Sequence, residues 1–129
     1  MKLFIDDDAG TNRPIPKGWA SATTYWQALE MLEKHWNELE VVSFDHDLAC
    51  FELDEVGNII PDRELDGYKL MCWVENKCVR EDISPPFRIL VHSYNPEGAW
   101  RILRVANKLL DGQARKVDLL DLCRQEVSA

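Results

Sequence analysis

The chain has 129 residues, of which 46% are hydrophobic and 29% are charged, and its formal net charge is −8 at pH 7. This length supports one domain with its own core, and the hydrophobic content excludes a disordered chain. The excess of acids argues against an extended nucleic-acid-binding surface, and no apolar run approaches the roughly 20 residues of a membrane span. The first residues lack the pattern of a secretory signal, so we expect a cytoplasmic protein.

The first third of the chain predicts two short strands and a helix. Lys2 to Ile5 is an apolar strand, and Trp19 to Ala22 is a second one after a loop rich in glycine and proline. Thr24 followed by Gln27 forms a capping box, and apolar residues at helical spacing then predict an amphipathic helix over residues 24–38.

The central strand, at about residues 40–45, is apolar and runs into Asp45-His46-Asp47. Such a strand is typical of a sheet that is buried on both faces. If the chain stays extended to residue 47, Asp45 and Asp47 share a face and His46 points to the other. Residues 49–64 then predict a small inserted hairpin, which is either a lid over the acidic cluster or a surface excursion without a role.

The last part of the chain predicts two helices and one more buried strand. A helix over residues 65–79 has Asp66-Gly67 in its first turn, and residues 87–91 form the strand. Asn95 as N-cap with Pro96 at the first helical position begins a helix that ends near residue 111. The C-terminal extension, residues 112–129, is read either as a short strand at 117–120 or as a final helix.

The order of these elements predicts one α/β domain over residues 1–129. Strands that are continuous apolar runs, alternating with helices, favour a three-layer sandwich around a mostly parallel sheet. No helix is predicted between the first two strands.

Polar clusters follow three of the predicted strands, at Asp6-Asp7-Asp8, Asp45-His46-Asp47 and His92-Ser93. Parallel strands bring their carboxyl ends to one edge of the sheet, so we expect the three clusters to meet there. Carboxylate oxygens suit a divalent cation, and a histidine near bound phosphate suits proton donation. Ser93 and the start of the next helix suit an anion.

These motifs resemble a known family. The paired acids after the first strand, the acid that closes the central strand and Asp66-Gly67-Tyr68 are similar to response-regulator receiver domains, which have a flavodoxin-like fold. Phe4-Ile5-Asp6-Asp7, Ser43 to Leu48, and His92 to Gly98 resemble a narrower group, the cyclic-phosphate-processing receiver-like domains of bacteria and phages. The resemblance covers roughly residues 2–111.

The resemblance implies a metal-dependent hydrolysis of cyclic phosphates, such as 2′,3′-cyclic phosphate ends of RNA or cyclic nucleotides. It implies a site with these members: Asp6, Asp7, Asp45 and Asp47 as ligands of Mg²⁺ or Mn²⁺; Asp45, His46, His92 and Ser93 as catalytic residues; Asn95 as a substrate contact. The partner would be a small phosphate compound or an RNA end.

Two alternatives remain open at this stage. One is a receiver that accepts a phosphoryl group on Asp45. The other is a module that binds a nucleotide or a protein partner without turnover, as in a small phage or defence protein.

Overall fold

In a computed structural model of the protein, residues 1–128 are described, with side chains through residue 124. The strands are β1 (Lys2–Ile5), β2 (Ala20–Ala22), β3 (Val41–Phe44), β4 (Cys50–Leu53), β5 (Ile59–Leu65), β6 (Arg88–Val91) and β7 (Arg115–Lys116). The helices are α1 (Tyr25–His35), α2 (Gly67–Glu81), α3 (Pro96–Leu109) and α4 (Leu119–Ser128).

The main sheet has the strand order β2-β1-β3-β6-β7, and all its strands are parallel. Ile5 pairs with Phe44, and Phe44 pairs with Val91, so β1, β3 and β6 end at the same level of the sheet. The polar residues that follow these strands therefore start from one edge. The predicted receiver-like, flavodoxin-like α/β fold is confirmed.

The two faces of the sheet are covered differently. Alternate residues such as Ile5 and Phe44 pack into the larger core, to which α1, α2 and α3 contribute. Phe4 and Val41 point to the other face, where they pack with Trp19 from the long loop and with residues of α4. Residues 6–19, all of which the structure describes, contain no helix, as the sequence predicted.

The predicted helix starts are close to the observed ones, but Asp66 has a different role from the one expected. Thr24 caps α1 by accepting a hydrogen bond from the Gln27 N–H at 3.1 Å. Asp66 does not lie in the first turn of α2; it is the N-cap, and its Oδ1 accepts from the Lys69 N–H at 2.9 Å. The predicted helix is present, but it begins at Gly67, two residues after the predicted start at about residue 65, because a short polar side chain satisfies the first free amides of a helix better from outside it.

The insertion is a hairpin, as predicted, and its second strand ends at Leu65, one residue past the predicted range of 49–64. β4 and β5 are antiparallel, with Cys50 opposite Leu65, so the pairing continues up to the residue before the Asp66 cap.

The tail contains both of the elements that the sequence left as alternatives, although the strand lies earlier than residues 117–120. β7 pairs with β6 at the edge of the sheet, and α4 follows it.

Within residues 1–128, no helix is long and apolar enough to cross a membrane. The four cysteines are free thiols.

Candidate active site

A row of buried polar side chains lies just inside the edge of the sheet. The Ser43 Oγ is 2.6 Å from His92 Nδ1, and His92 Nε2 is 3.0 Å from Asp6 Oδ2. All three residues are on the face of the sheet that Phe4 occupies, and the Phe4 ring stacks on His92 with a centroid distance of 4.4 Å. We call Ser43, His92 and Asp6 the inner row. Because an ionised carboxylate only accepts hydrogen bonds, Nε2 of His92 carries the proton that is donated to Asp6.

Arg13 connects the inner row to the end of the central strand. Its Nη1 donates to Asp6 Oδ2 at 2.8 Å and to Asp45 Oδ2 at 3.0 Å. The Arg13 side chain is 22% exposed, whereas the Asp45 side chain is 4% exposed. One guanidinium, which stays protonated at any ordinary pH, thus neutralises part of the charge of two neighbouring carboxylates.

The two carboxylates differ in their pKa because they differ in hydrogen bonding. Burial favours the neutral form of Asp6, but hydrogen bonds from His92, Arg13 and the Asp8 N–H hold its pKa below the usual value. For Asp45, burial and the negative charge of Asp6 raise the pKa, and the nearby cations offset only part of this effect. Asp6 is therefore held ionised, while Asp45 binds a proton more readily.

An open cleft of about 290 Å³ lies over this edge of the sheet. Its lining residues are Asp7, Asp8, Arg13, Asp45, Asp47, Tyr94 and Asn95. We call it the acidic cleft, since it holds four carboxylates and one guanidinium. β3 ends at Phe44 and does not extend to residue 47, yet Asp45 and Asp47 both line the cleft.

His46 lies beside the acidic cleft, between two carboxylates. Its Nδ1 is 2.9 Å from Asp47 Oδ1 and 3.5 Å from the Asn95 amide nitrogen. Its Nε2 is buried and makes no hydrogen bond, although Asp66 Oδ2 lies 3.4 Å away. Nδ1 thus adjoins two residues that line the cleft, Asp47 and Asn95.

Two glycines allow His46 and Asp45 to lie so close to the helix starts. A Cβ on Gly98, in the first turn of α3, would meet the His46 ring. A Cβ on Gly67, the first residue of α2, would meet the backbone carbonyl of Asp45. The Gly67 N–H donates to the His46 carbonyl at 2.8 Å, which fixes the chain after β3 against α2.

Ser93 and Asn95 shape the turn between β6 and α3. The Ser93 Oγ accepts from the Asn95 N–H at 3.1 Å, and the Asn95 Oδ1 accepts from the Gly98 N–H at 3.0 Å, so Asn95 is the N-cap that the sequence predicted. Ser93 is buried and does not line the cleft, whereas Asn95 does.

The comparisons with known proteins give one match. The model of a family described as "Cyclic-phosphate processing Receiver domain" matches residues 1–108. The chain belongs to this family. No curated protein and no solved structure matches the chain. The cyclic-phosphate-processing receiver fold therefore includes β1 to β6 and nearly all of α3, whereas β7 and α4 lie beyond the matched residues.

The acids of this cyclic-phosphate-processing receiver domain are placed so that a cation could be held in two ways. Ligand atoms of Asp6, Asp45 and His92 lie within 4.8 Å of one another, and so do those of Asp6, Asp7 and Asp8. The group Asp6, Asp7 and Asp8 offers only hard oxygen donors, which fit Mg²⁺ or Mn²⁺, whereas the other group includes a histidine nitrogen. Asp47 belongs to neither group, although it lines the acidic cleft. Arg13 already contacts Asp6 and Asp45, so a metal ion at these two carboxylates would have to displace its guanidinium.

The sequence interpretation missed three contributors to the site. Ser43 and Asp66 stood in the motifs that carry the resemblance but were given no role in the site, and Arg13 was not included in the site. The sequence signal for Ser43 was its position two residues before Asp45, which places both side chains on the same face of an extended strand. For Asp66 it was the N-cap pattern, which places a carboxylate at the start of α2, on the same edge of the sheet.

Proposed function

We propose that the protein hydrolyses a cyclic phosphate diester to a monoester in the acidic cleft. The observation that carries this proposal is that Asp45, Asp47, Arg13 and Asn95 line one open cleft, next to His46. These residues offer a proton acceptor, a cation for phosphate oxygens, an amide and a proton donor within one small volume. The family description supports the phosphate chemistry.

In the reaction, a water oxygen forms a new bond to phosphorus and one ester P–O bond of the ring breaks. Asp45 accepts a proton from the water, a task that its raised pKa favours. The leaving oxygen gains a proton from His46 through the Nδ1 side, next to Asp47. Arg13 contacts the phosphate oxygens from the cleft wall, where its side chain is partly exposed.

His92 and Ser93 have a supporting task in this proposal. The His92 side chain is 0% exposed, so it does not reach a molecule in the cleft, but it keeps Asp6 ionised and in place. Asp6 in turn orients Arg13. Ser93 fixes the backbone of Asn95, which touches the substrate.

A cation is needed in this proposal because a phosphate entering the cleft meets four carboxylates and one arginine. Burial and the neighbouring acids Asp8 and Asp6 raise the pKa of Asp7, which is a sign of this crowding. Asp6, Asp7 and Asp8, whose carboxylate oxygens lie within 4.8 Å of one another, would hold Mg²⁺ or Mn²⁺, and Asp45 stays free to accept the proton. When bound, such an ion offsets the phosphate charge and polarises the phosphorus centre.

The test is the conversion of a substrate panel, followed by anion-exchange chromatography. The panel contains a 2′,3′-cyclic mononucleotide, a 3′,5′-cyclic mononucleotide and an oligonucleotide with a cyclic phosphate end, each with Mg²⁺, with Mn²⁺ and with a chelator. We expect a monoester product that depends on the metal ion and is lost in Asp45→Asn. Asp62→Asn, which changes an exposed acid of the hairpin, serves as the matched control and keeps the activity.

The absence of product from every substrate would contradict the proposal. Labelling of Asp45 by a small phosphodonor in that case would favour a phospho-accepting receiver. Binding of a panel compound without turnover would favour a binding module.

A further inference from the structure

A second concave surface, of about 300 Å³, lies between α2 and α3. Its lining residues are Tyr68, Trp100, Arg101, Arg104, Val105 and Lys108. We call it the basic groove. It contains three cations and no carboxylate, in a chain whose net charge is −8.

The three cations of the basic groove lie on one side of α3. Arg101, Arg104 and Lys108 follow one another at intervals of three and four residues, which places them on the same helix face. All three are exposed, and within the described part of the chain none of them forms an ion pair with a carboxylate. They are therefore available to an anion from solution.

The aromatic residues of the groove stand beside these cations. The Arg101 guanidinium lies 4.9 Å from the centre of the Tyr68 ring, and the Arg104 guanidinium lies 5.4 Å from the centre of the Trp100 ring. Trp100 is 59% exposed although it is a large apolar side chain. An exposed ring next to arginines is the combination with which proteins stack a base and hold the adjoining phosphate.

The basic groove is connected to the acidic cleft by shared residues. A small recess of about 130 Å³ is lined by His46, Asn95, Glu97, Gly98 and Arg101. Arg101 also lines the basic groove, and Asn95 also lines the acidic cleft. A chain of a few nucleotides can therefore follow the surface from Trp100, past Arg101 and His46, to Asp45.

We propose that the basic groove binds single-stranded RNA next to its cyclic phosphate end. This inference rests on the proposed function and narrows its substrate to a strand that ends in a 2′,3′-cyclic phosphate; such an end requires a ribose 2′-hydroxyl, so the strand is RNA. A base stacks on Trp100, and Arg101, Arg104 and Lys108 contact the backbone phosphates. The groove is local, so it holds the last nucleotides of a strand and provides no extended surface for a duplex.

The experiment measures binding apart from turnover. Fluorescence anisotropy is recorded with a 5′-labelled oligouridylate that ends in a 3′-phosphate, which contains no cyclic ester to be opened. We expect Trp100→Ala to weaken binding about tenfold and Trp26→Ala to leave it unchanged. Trp26 is the matched control, since it is 57% exposed on α1, away from the groove.

The charge contribution is tested with Arg104→Gln combined with Lys108→Gln. Each cation that contacts a single-stranded phosphate contributes about 0.7 to the slope of log K against log salt, so the double variant should lower this slope by about 1.4. Lys34→Gln, an exposed lysine of α1, is the control. Unchanged affinity in the groove variants, or equal competition by an acidic peptide, would overturn the inference.

The two proposals fail in different ways. If a cyclic mononucleotide is hydrolysed but the groove variants bind the oligouridylate as tightly as the wild type, the proposed reaction is supported and the proposed RNA-binding groove is contradicted. If the oligouridylate binds through Trp100 but no cyclic phosphate is hydrolysed, the proposed RNA-binding groove is supported and the proposed reaction is contradicted.

Discussion

The inner row and the acidic cleft are adjacent but have opposite properties. Ser43, His92 and Asp6 are buried and hydrogen-bonded to one another, whereas Asp47 has a side chain that is 60% exposed. The inner row therefore keeps one geometry, and the cleft can accept a molecule. Residues gathered at one edge of the sheet therefore have different tasks: Ser43, His92 and Asp6 hold the site, whereas the residues that line the cleft, including the nearly buried Asp45, can contact a molecule that enters it.

The largest expected effect is on stability, from Asp6→Ala. This change removes the partner of His92 and of Arg13 inside the protein, and breaking a buried ion pair costs about 3–5 kcal/mol. Asp47→Ala, at an exposed carboxylate, should cost less than about 1 kcal/mol. Urea unfolding of both variants measures this difference. Equal losses of stability in the two variants would contradict the distinction between a buried inner row and an exposed cleft.

Gly98→Ala should have the next largest effect. The new Cβ meets the His46 ring, and overpacking of this kind costs about 1–3 kcal/mol. The same change in a His46→Ala background should cost much less, because the ring that it meets is gone. A thermal-unfolding double-mutant cycle measures this coupling. Additive costs in the cycle would place His46 away from the start of α3.

Much of this arrangement could be predicted from the sequence. The apolar runs that end in acids or histidine predicted the strands β1, β3 and β6. Because neighbouring parallel strands end at the same edge of a sheet, these runs also predicted that Asp6, Asp45 and His92 lie at one edge. The cap and proline at Asn95-Pro96 specified the start of α3. These features depend on local patterns that tertiary packing does not override.

Other parts of the site could not be predicted, because they depend on contacts between distant segments. Arg13 lies in a loop without periodicity, and only the folded chain brings its guanidinium between Asp6 and Asp45. His92 is buried because the Phe4 ring stacks on it and α4 packs on the face of the sheet that Phe4 occupies. The sequence therefore grouped His92 with the residues that touch a substrate.

Arg13→Gln should change metal binding in the acidic cleft. The guanidinium is the cation that now contacts Asp6 and Asp45, so its removal frees both carboxylates for a divalent ion. We expect Mn²⁺ to bind about tenfold more tightly, which is about 1.4 kcal/mol. Titration calorimetry measures the affinity, with Lys17→Gln in the same loop as control. Weaker or unchanged Mn²⁺ binding would mean that Arg13 and the ion do not compete.

The smallest expected effect is a difference in pH dependence between Asp6 and Asp45. The pKa of Asp6 is lowered by folding, so its stabilising contribution is present above the unfolded value of 3.8 and is lost as the pH falls through the lower, folded pKa. The pKa of Asp45 is raised by folding, so its contribution falls as the pH rises from 3.8 through the folded pKa.

Unfolding free energies of the wild type, Asp6→Asn and Asp45→Asn between pH 3 and pH 7 measure these contributions. Asp6→Asn should flatten the loss of stability at the acid end. In the wild type, the raised pKa of Asp45 lowers the free energy of unfolding with rising pH by at most about 1.4 kcal/mol per pH unit. Asp45→Asn should abolish this decrease. The same sign of change in both variants would contradict the assigned charge states.

The central claim is that the acidic cleft adds water to a cyclic phosphate. Phosphorus NMR in ¹⁸O-enriched water tests it most directly, with a 2′,3′-cyclic mononucleotide and Mg²⁺ or Mn²⁺. We expect a monoester signal shifted by one ¹⁸O atom on phosphorus. Its rate of formation should fall at least about a hundredfold in Asp45→Asn and stay unchanged in Asp62→Asn. No monoester from the wild-type protein, or equal formation in Asp45→Asn, would contradict it.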